Sequence, residues 1–475
     1  MARRSTRLSP SAAQSELADA LRELRTQLQV PGEYPADAAA QALEASAQPL
    51  GELPDLTDLP FLTIDPAGST DLDQAMHLAA HDGGFTVRYA IADVPFFVEP
   101  GGPLDAETRR RGQTLYAPDG RIPLHPTVIS EDAGSLLPGR VRRAFVWAFE
   151  LSAEGSVRET SLTRALVRSR RQWSYDEAQK ALDDGSAPAE LAPLPAIGRA
   201  LLAQEAARGG ASLNTPDQEV VLTAEGYGVE RRMPLPIEDW NAQLSLLTGM
   251  AAAKIMLGGG VGVLRTMPAA DAAAVAGFRK TTELLGLPWA EGVEYGEYLR
   301  TLDRTAPKAL AVLQAATSLF RGAAYEAFDG APPKQTVQAA LAAPYAHVTA
   351  PLRRLVDRWG LVVCEALVTR QTVPDWARTS LAELPHIMAS TTSLAGRLDA
   401  GALDRVEAAV LSGRVGDVFD AVVLSQNHTH TRIQLVEPAV EASAAGLIGE
   451  PGATVRVRLT EAEISTGSLV FEAVE

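Results

Sequence analysis

Residues 61–75, FLTIDPAGSTDLDQA, decide how this chain is read. The run FLTI is apolar and β-prone, and the strand signal stops where Asp65 meets Pro66 and a glycine follows. Asp65, Asp71 and Asp73 then fall within nine residues, on a strand and the loop after it, where three short carboxylates can converge on one point. Magnesium is a hard cation that takes oxygen ligands in tight geometry and leaves positions for water and substrate phosphate. In phosphodiester hydrolysis, two such ions about 3.5–4 Å apart activate the attacking water and stabilise the leaving oxygen. The plain alternative is a surface turn in which aspartate serves the backbone.

Outward from this stretch the pattern is mixed. Strand-like runs continue in GFTVRYAIADV and in AFVWAFELSAEGSVRETSLTRALV, and helical periodicity takes over from about residue 175, as in YDEAQKAL and EDWNAQLSLLTGMAAAKIML. Strands return after residue 410 in THTRIQLVEPAVEA, ATVRVRLTEAEI and SLVFEAVE, a spacing that suits a small OB-like barrel and equally another small β domain. Ahead of everything, Leu17, Leu21, Leu24 and Leu28 stand at helical spacing, and PADAAAQALEASA opens a second short helix. The reading is an α+β chain in three parts: a small helical domain over 1–50, a helix-turn-helix in size; a large mixed domain over 51–410; and a β-barrel over 411–475.

Bulk properties narrow the function. The net charge of −16 argues against a protein that coats nucleic acid nonspecifically, and leaves room for one that admits a single strand past local arginines. Candidate clusters are Arg140, Arg142 and Arg143; Arg164, Arg168, Arg170 and Arg171; and Arg353, Arg354 and Arg358. Cys364 is the single cysteine, which excludes an intrachain disulfide and a cysteine-based metal site and suits a reducing cytoplasm. No run approaches the roughly 20 apolar residues of a membrane helix.

Two further stretches carry chemistry. In YAHVTAPLRRLVDR, residues 345–358, Tyr345, His347, Thr349, Arg353 and Arg354 flank a proline expected to start a helix. A helix start with hydroxyl and guanidinium donors beside it suits phosphate, and arginine grips a pair of phosphate oxygens with a planar fork. In RGQTLYAPDGRIPLHP, residues 111–126, Tyr116 sits among glycine, proline and basic residues. An aromatic face there either stacks on bases, at about 1–3 kcal/mol each, or packs internally.

Together with SLLPGRVRRAF, residues 135–145, these stretches resemble in order and spacing the RNB catalytic domain of ribonucleases II and R, over roughly residues 55–410. The resemblance implies a narrow channel for single-stranded RNA ending at a magnesium site. It implies 3′-to-5′ release of nucleoside 5′-monophosphates, with Asp65, Asp71 and Asp73 as metal ligands and Asp73 the central catalytic carboxylate. It places Arg353 on the scissile phosphate with Arg354 beside it, and Tyr116 on the terminal bases; Tyr345, His347 and Thr349 complete the RNA-binding set. Gln74 stands where the family's fourth aspartate falls, Ala242 and Gln243 replace a pair of glutamates, and Leu213 or Asn214 replaces a second clamping aromatic. About 50 N-terminal residues cannot hold the usual two cold-shock barrels, so the two helices, behind the basic start MARRSTR, are expected to guide RNA or bind a partner in their place. A second reading is a catalytically weakened RNA-binding protein; a third is a metal-dependent phosphatase or DNA nuclease without the channel.

Overall fold

The computed structural model describes residues 12–211, 217–223, 226–303, 306–426 and 430–474. MARRSTR, Leu213 and Asn214 lie outside the described residues. Helices α1 (Ala12–Gln27) and α2 (Ala36–Ser46) precede strands β1 (Phe61–Asp65), β2 (Gln74–His81) and β3 (Gly84–Ala92). Helix α3 (Pro103–Arg111) and the hairpin β4 (Leu115–Ala117) and β5 (Gly120–Ile122) follow, then the long strands β6 (Val141–Leu151) and β7 (Val157–Ser174). Strands β1, β2, β3, β6 and β7 close into a barrel in that order. The seam is the parallel pair β1 and β7, which sets Asp65 beside Ser174.

The long apolar runs in β3 and β6 reflect burial on both faces. Val87, Tyr89 and Ile91 of β3, with Phe145, Trp147 and Phe149 of β6, enter one core, while Ala90, Ala92, Ala144 and Val146 enter another. Alternate residues of a strand point to opposite faces, so bulky side chains serve one layer and small ones the other. The bulky layer packs with α6 (Pro236–Gly259) and α10 (Leu355–Val368), which bring Leu244, Leu247, Met256, Val356 and Trp359. Between β7 and α6 lie α4 (Tyr175–Asp183), α5 (Leu194–Arg208) and the hairpin β8 (Asp217–Thr223) and β9 (Gly226–Arg232). Between α6 and α10 lie β10 (Val261–Thr266), α7 (Ala272–Leu284), α8 (Tyr295–Arg300), α9 (Pro307–Ala316), β11 (Ala324–Asp329), β12 (Val337–Gln338) and β13 (Ala343–Pro344).

After α11 (Asp375–Ser380), the 28-residue helix α12 (Leu384–Leu411) leads to a second closed barrel. It is built of β14 (Val418–Gln426), β15 (His430–Leu435), β16 (Glu441–Ala445), β17 (Thr454–Glu463) and β18 (Ser468–Ala473), as expected of an OB-like tail. Phe419, Val423, Ile433, Leu459 and Phe471 fill it. No helix among the described residues is long and apolar enough to cross a membrane.

The N-terminal helices correct one expectation. Both form, yet among the described residues they share no core and make no separate helix-turn-helix unit. Leu17, Leu21 and Leu24 of α1 pack with Leu398, Ala402 and Val406 of α12, Leu115 of β4 and Ile464 beyond β17. Ala42 and Ala45 of α2 join Phe61, Ala90 and Leu104 in the core of the first barrel. Residues too few to bury their own apolar faces have found two different surfaces of the larger body.

Candidate active site

Asp65 ends β1, and the loop after it is pinned from within. Leu72 is fully buried; its N–H donates to Ser135 Oγ at 2.9 Å, and its carbonyl accepts from Leu136 N–H at 3.0 Å. The same Ser135 hydroxyl donates to the Thr70 carbonyl at 2.7 Å. This frame delivers Asp73, 2% exposed, against residues 350–353. Its Oδ1 accepts the Leu352 N–H at 2.7 Å, while Oδ2 is buried without a hydrogen bond, 3.4 Å from Arg353 Nε. Burial pushes the Asp73 carboxyl well above the usual carboxylate range, opposed by the Arg353 guanidinium and the Leu352 N–H.

Gln74 opens β2 and donates through its amide nitrogen to the Thr349 carbonyl, so the residue in place of the fourth aspartate ties the acidic loop to the arginine turn. That turn is held from beyond by His125, whose Nδ1 is 3.1 Å from the Leu352 carbonyl. Burial lowers the His125 pKa to about 4, so the ring is neutral at pH 7 and Nδ1–H is the donor. Helix α10 begins at Leu355, four residues after Pro351 and not at it. Asp357 in its first turn reaches back to accept the Ala350 N–H at 2.6 Å, and the Ala350 carbonyl accepts the Arg353 and Arg354 N–H groups at 3.2 and 2.9 Å, so residues 350–354 form a tight turn just ahead of the helix.

The arginines divide in role. Arg353 keeps its side chain about one-third exposed, at 32%, beside Asp73. Arg354 is committed: its Nε and Nη2 each lie 2.9 Å from the two Asp357 oxygens. Arg358 is buried in a pair with Asp105 at 2.6 Å. The other clusters also serve as ties, since Arg142 bonds Asp132 and the Ser135 carbonyl, Arg143 bonds Asp93, Arg164 faces Glu365, and Arg170 donates to the Thr57 carbonyl.

Tyr116 of β4 is half-buried, and the charges of Arg353, Asp71 and Asp73 all act on its hydroxyl, which burial pushes up. Tyr345 is buried, and His347 is half-buried like Tyr116. A Cβ on Gly249 would stand 2.1 Å from the Tyr345 ring, which fixes glycine at that point of α6. His347 contacts that ring edge-on and has Nδ1 2.6 Å from the Tyr325 hydroxyl; burial holds it far below the ordinary histidine range, hence neutral. Thr349 is buried, and its carbonyl is the Gln74 acceptor. The structure thus gathers Asp71, Asp73, Arg353 and Tyr116 with Gln74 and Thr349, while Arg354 is bound to Asp357 and the Tyr345 and His347 rings meet edge-on. Gln243 is buried and donates to Glu205 at 2.6 Å, while Ala242 is exposed.

One residue the sequence reading passed over stands in the middle of this group. Arg121 of β5 pairs with the Asp71 carboxylate, reaches Glu131 Oε1 at 2.9 Å and donates to the Thr70 hydroxyl. The carboxylate oxygens of this group are of the kind a hard cation takes, and the unbonded, buried Asp73 Oδ2 is an oxygen that a cation would satisfy. The convergence expected of the three aspartates is nevertheless not preformed. Among the described residues no three His, Cys, Asp or Glu side chains stand close enough to hold an ion. Arg121 accounts for part of this, since it occupies Asp71.

Residues 54–367 match the RNB domain, and residues 417–474 match the RNase II-type exonuclease C-terminal S1 domain. The chain belongs to the RNB family of ribonucleases, whose members generally depend on a divalent metal. Two curated relatives from Arabidopsis thaliana, DIS3-like exonuclease 2 and the inactive exonuclease DIS3L2, are each 43% identical over 137 residues. That match covers 29% of this chain and 13% of theirs. Mycoplasma genitalium RNase R, solved with ribose-methylated single-stranded RNA, superposes with a TM-score of 0.87 at 17% identity, covering 97% of this chain and 78% of that one.

Proposed function

We propose that this protein is a magnesium-dependent 3′-to-5′ exoribonuclease of the ribonuclease II type, which hydrolyses single-stranded RNA to nucleoside 5′-monophosphates. The observation that carries the reading is the juxtaposition of Asp73 and Arg353: a buried carboxylate oxygen without a hydrogen bond, 3.4 Å from a partly exposed guanidinium. In this reading Asp73, Asp71 and Asp65 hold the divalent cation, which supplies charge to activate water and to stabilise the leaving oxygen. Arg353 grips the scissile phosphate, and its planar fork fixes the phosphorus relative to Asp73. Tyr116 stacks on the terminal bases, and the Leu352 N–H keeps the Asp73 carboxylate aimed at the phosphate. Arg354 acts through Asp357, which shapes the loop, and Tyr345, His347 and Thr349 support the RNA path from behind.

A second reading, an RNA-binding protein with weakened catalysis, is favoured by Gln74 in place of a carboxylate and by the Arg121–Asp71 pair. A 5′-labelled single-stranded RNA incubated with magnesium and resolved to the nucleotide separates the two. The exonuclease gives products that shorten stepwise from the 3′ end and stop when the metal is chelated. Uncut RNA that remains bound identifies the second reading, and equal cleavage of DNA of the same sequence would identify neither, since the 2′-hydroxyl is the group that distinguishes the two polymers.

A further inference from the structure

The hairpin β4–β5 carries Tyr116 and Arg121 as direct cross-strand partners, so the two side chains leave the same face of the ribbon. A two-stranded ribbon this short has little stability of its own, and its position depends on what holds it. On the inner side Arg121 spans the Asp71 carboxylate, Glu131 and Thr70, the kind of multiple grip for which a guanidinium fork is suited. The chain entering the hairpin is stitched to the arginine turn: Thr114 N–H donates to the Arg353 carbonyl at 3.0 Å, and Leu355 N–H donates to the Gly112 carbonyl at 2.9 Å. On the outer side Leu115 is buried in the leucine face of α1 and α12, and Arg25 of α1 pairs with Asp119 at the hairpin tip. Further along, the Tyr34 ring lies 3.8 Å below the Arg111 guanidinium, and Arg111 donates to the Gly32 carbonyl at 2.6 Å, so the connection between α1 and α2 is fastened to the same region.

We propose that the β4–β5 hairpin is a clamped platform. Arg121 and the Arg25–Asp119 pair are its positioning residues, and α1 is the outer jaw that sets how far Tyr116 stands from Asp73 and Arg353. This rests on the reading of Tyr116 as a base-stacking residue. It replaces the expected RNA-guiding role of the first helix with a mechanical one, because the face of α1 that carries Leu17, Leu21 and Leu24 is spent on the hairpin, α12 and Ile464. Loosening the outer jaw displaces the RNA end before it alters the chemistry at Asp73.

The test uses the full chain with Arg121→Gln, Arg121→Lys, Arg25→Asp, Asp119→Arg and the double swap Arg25→Asp/Asp119→Arg, with Tyr116→Ala as benchmark. The readouts are KM, kcat and the length of the final product from a single-stranded oligoribonucleotide. Asp119→Arg is expected to raise KM by about fivefold, more than it lowers kcat, Arg121→Gln, which also releases Asp71, is expected to change kcat as well, and both should shift the final product length in the same direction as Tyr116→Ala. Arg121→Lys should fall between Arg121→Gln and the parent, and the double swap should restore the product length that each single reversal disturbs. A shift in Tyr116→Ala with no shift in Arg121→Gln or Asp119→Arg overturns the clamp alone. Tyr116→Ala that changes neither readout overturns the stacking role and the clamp with it. If Arg121→Gln does not fold, the part-buried Arg25–Asp119 pair decides: a swap that fails to restore the product length contradicts the proposal.

Discussion

The Leu352 N–H donates to Asp73 Oδ1 at 2.7 Å, and this bond ties the acidic loop to the arginine turn, 279 residues apart in the chain. The carboxylate oxygen that is not used in the tie is the one that faces Arg353. Aim and reactivity are thereby divided between the two oxygens of one side chain.

Arg353 and its neighbour should respond differently to substitution. Arg353→Lys keeps the charge and loses the fork, so turnover is expected to fall by at least tenfold while the folded protein melts within a few degrees of the parent. A steady-state assay checks this, and normal turnover would reduce Arg353 to a general positive charge beside the carboxylates.

Arg354→Ala should instead act on stability. It leaves Asp357, fully buried, without its bidentate partner, and breaking such a pair costs about 3–5 kcal/mol. Chemical denaturation should show the loss directly. A variant as stable as the parent but unable to bind RNA would move Arg354 from the scaffold to the RNA path.

His125 gives the protein a pH dependence of stability. Burial lowers its folded pKa to about 4 from an unfolded value near 6.5, so between those values the unfolded chain holds a proton that the folded chain does not. Stability should be fully present above about pH 6.5 and decline as pH falls toward 4, by about 3 kcal/mol at most from this group. His347, also depressed by burial, adds to the same slope. Denaturation midpoints for the parent and His125→Gln across that range test it; parallel pH profiles would show that His125 does not contribute.

Much of this was legible in the chain. The strand ending at Asp65, the loop carrying Asp71 and Asp73, and the C-terminal strands, though not their closure into a barrel, follow from local pattern, and the Arg354–Asp357 pair is an i, i+3 spacing that could have been read as such. What stayed hidden is long-range. The closure of β1 on β7 joins segments about a hundred residues apart, and no periodicity announces a parallel seam. Arg121 lies 50 residues from Asp71, in a hairpin whose cross-strand register had to be seen before the pair could be named. The leucines of α1 were readable as an apolar face, but its partner α12 lies more than 350 residues on, so a face that belongs to the body of the protein read as a separate unit.

The central claim is that Asp73 is the catalytic carboxylate and not a structural one. Asp73→Asn keeps the side-chain size and the oxygen that accepts from Leu352, and removes the charge. It should also melt no lower than the parent at pH 7, because burial already disfavours the charged form. The direct measurement pairs single-turnover cleavage with filter binding of the same single-stranded RNA at saturating magnesium. The expected result is binding within about twofold of the parent and cleavage reduced at least a hundredfold, a barrier increase of about 2.7 kcal/mol. Cleavage above about a tenth of the parent rate, a loss under about 1.4 kcal/mol, would contradict the assignment.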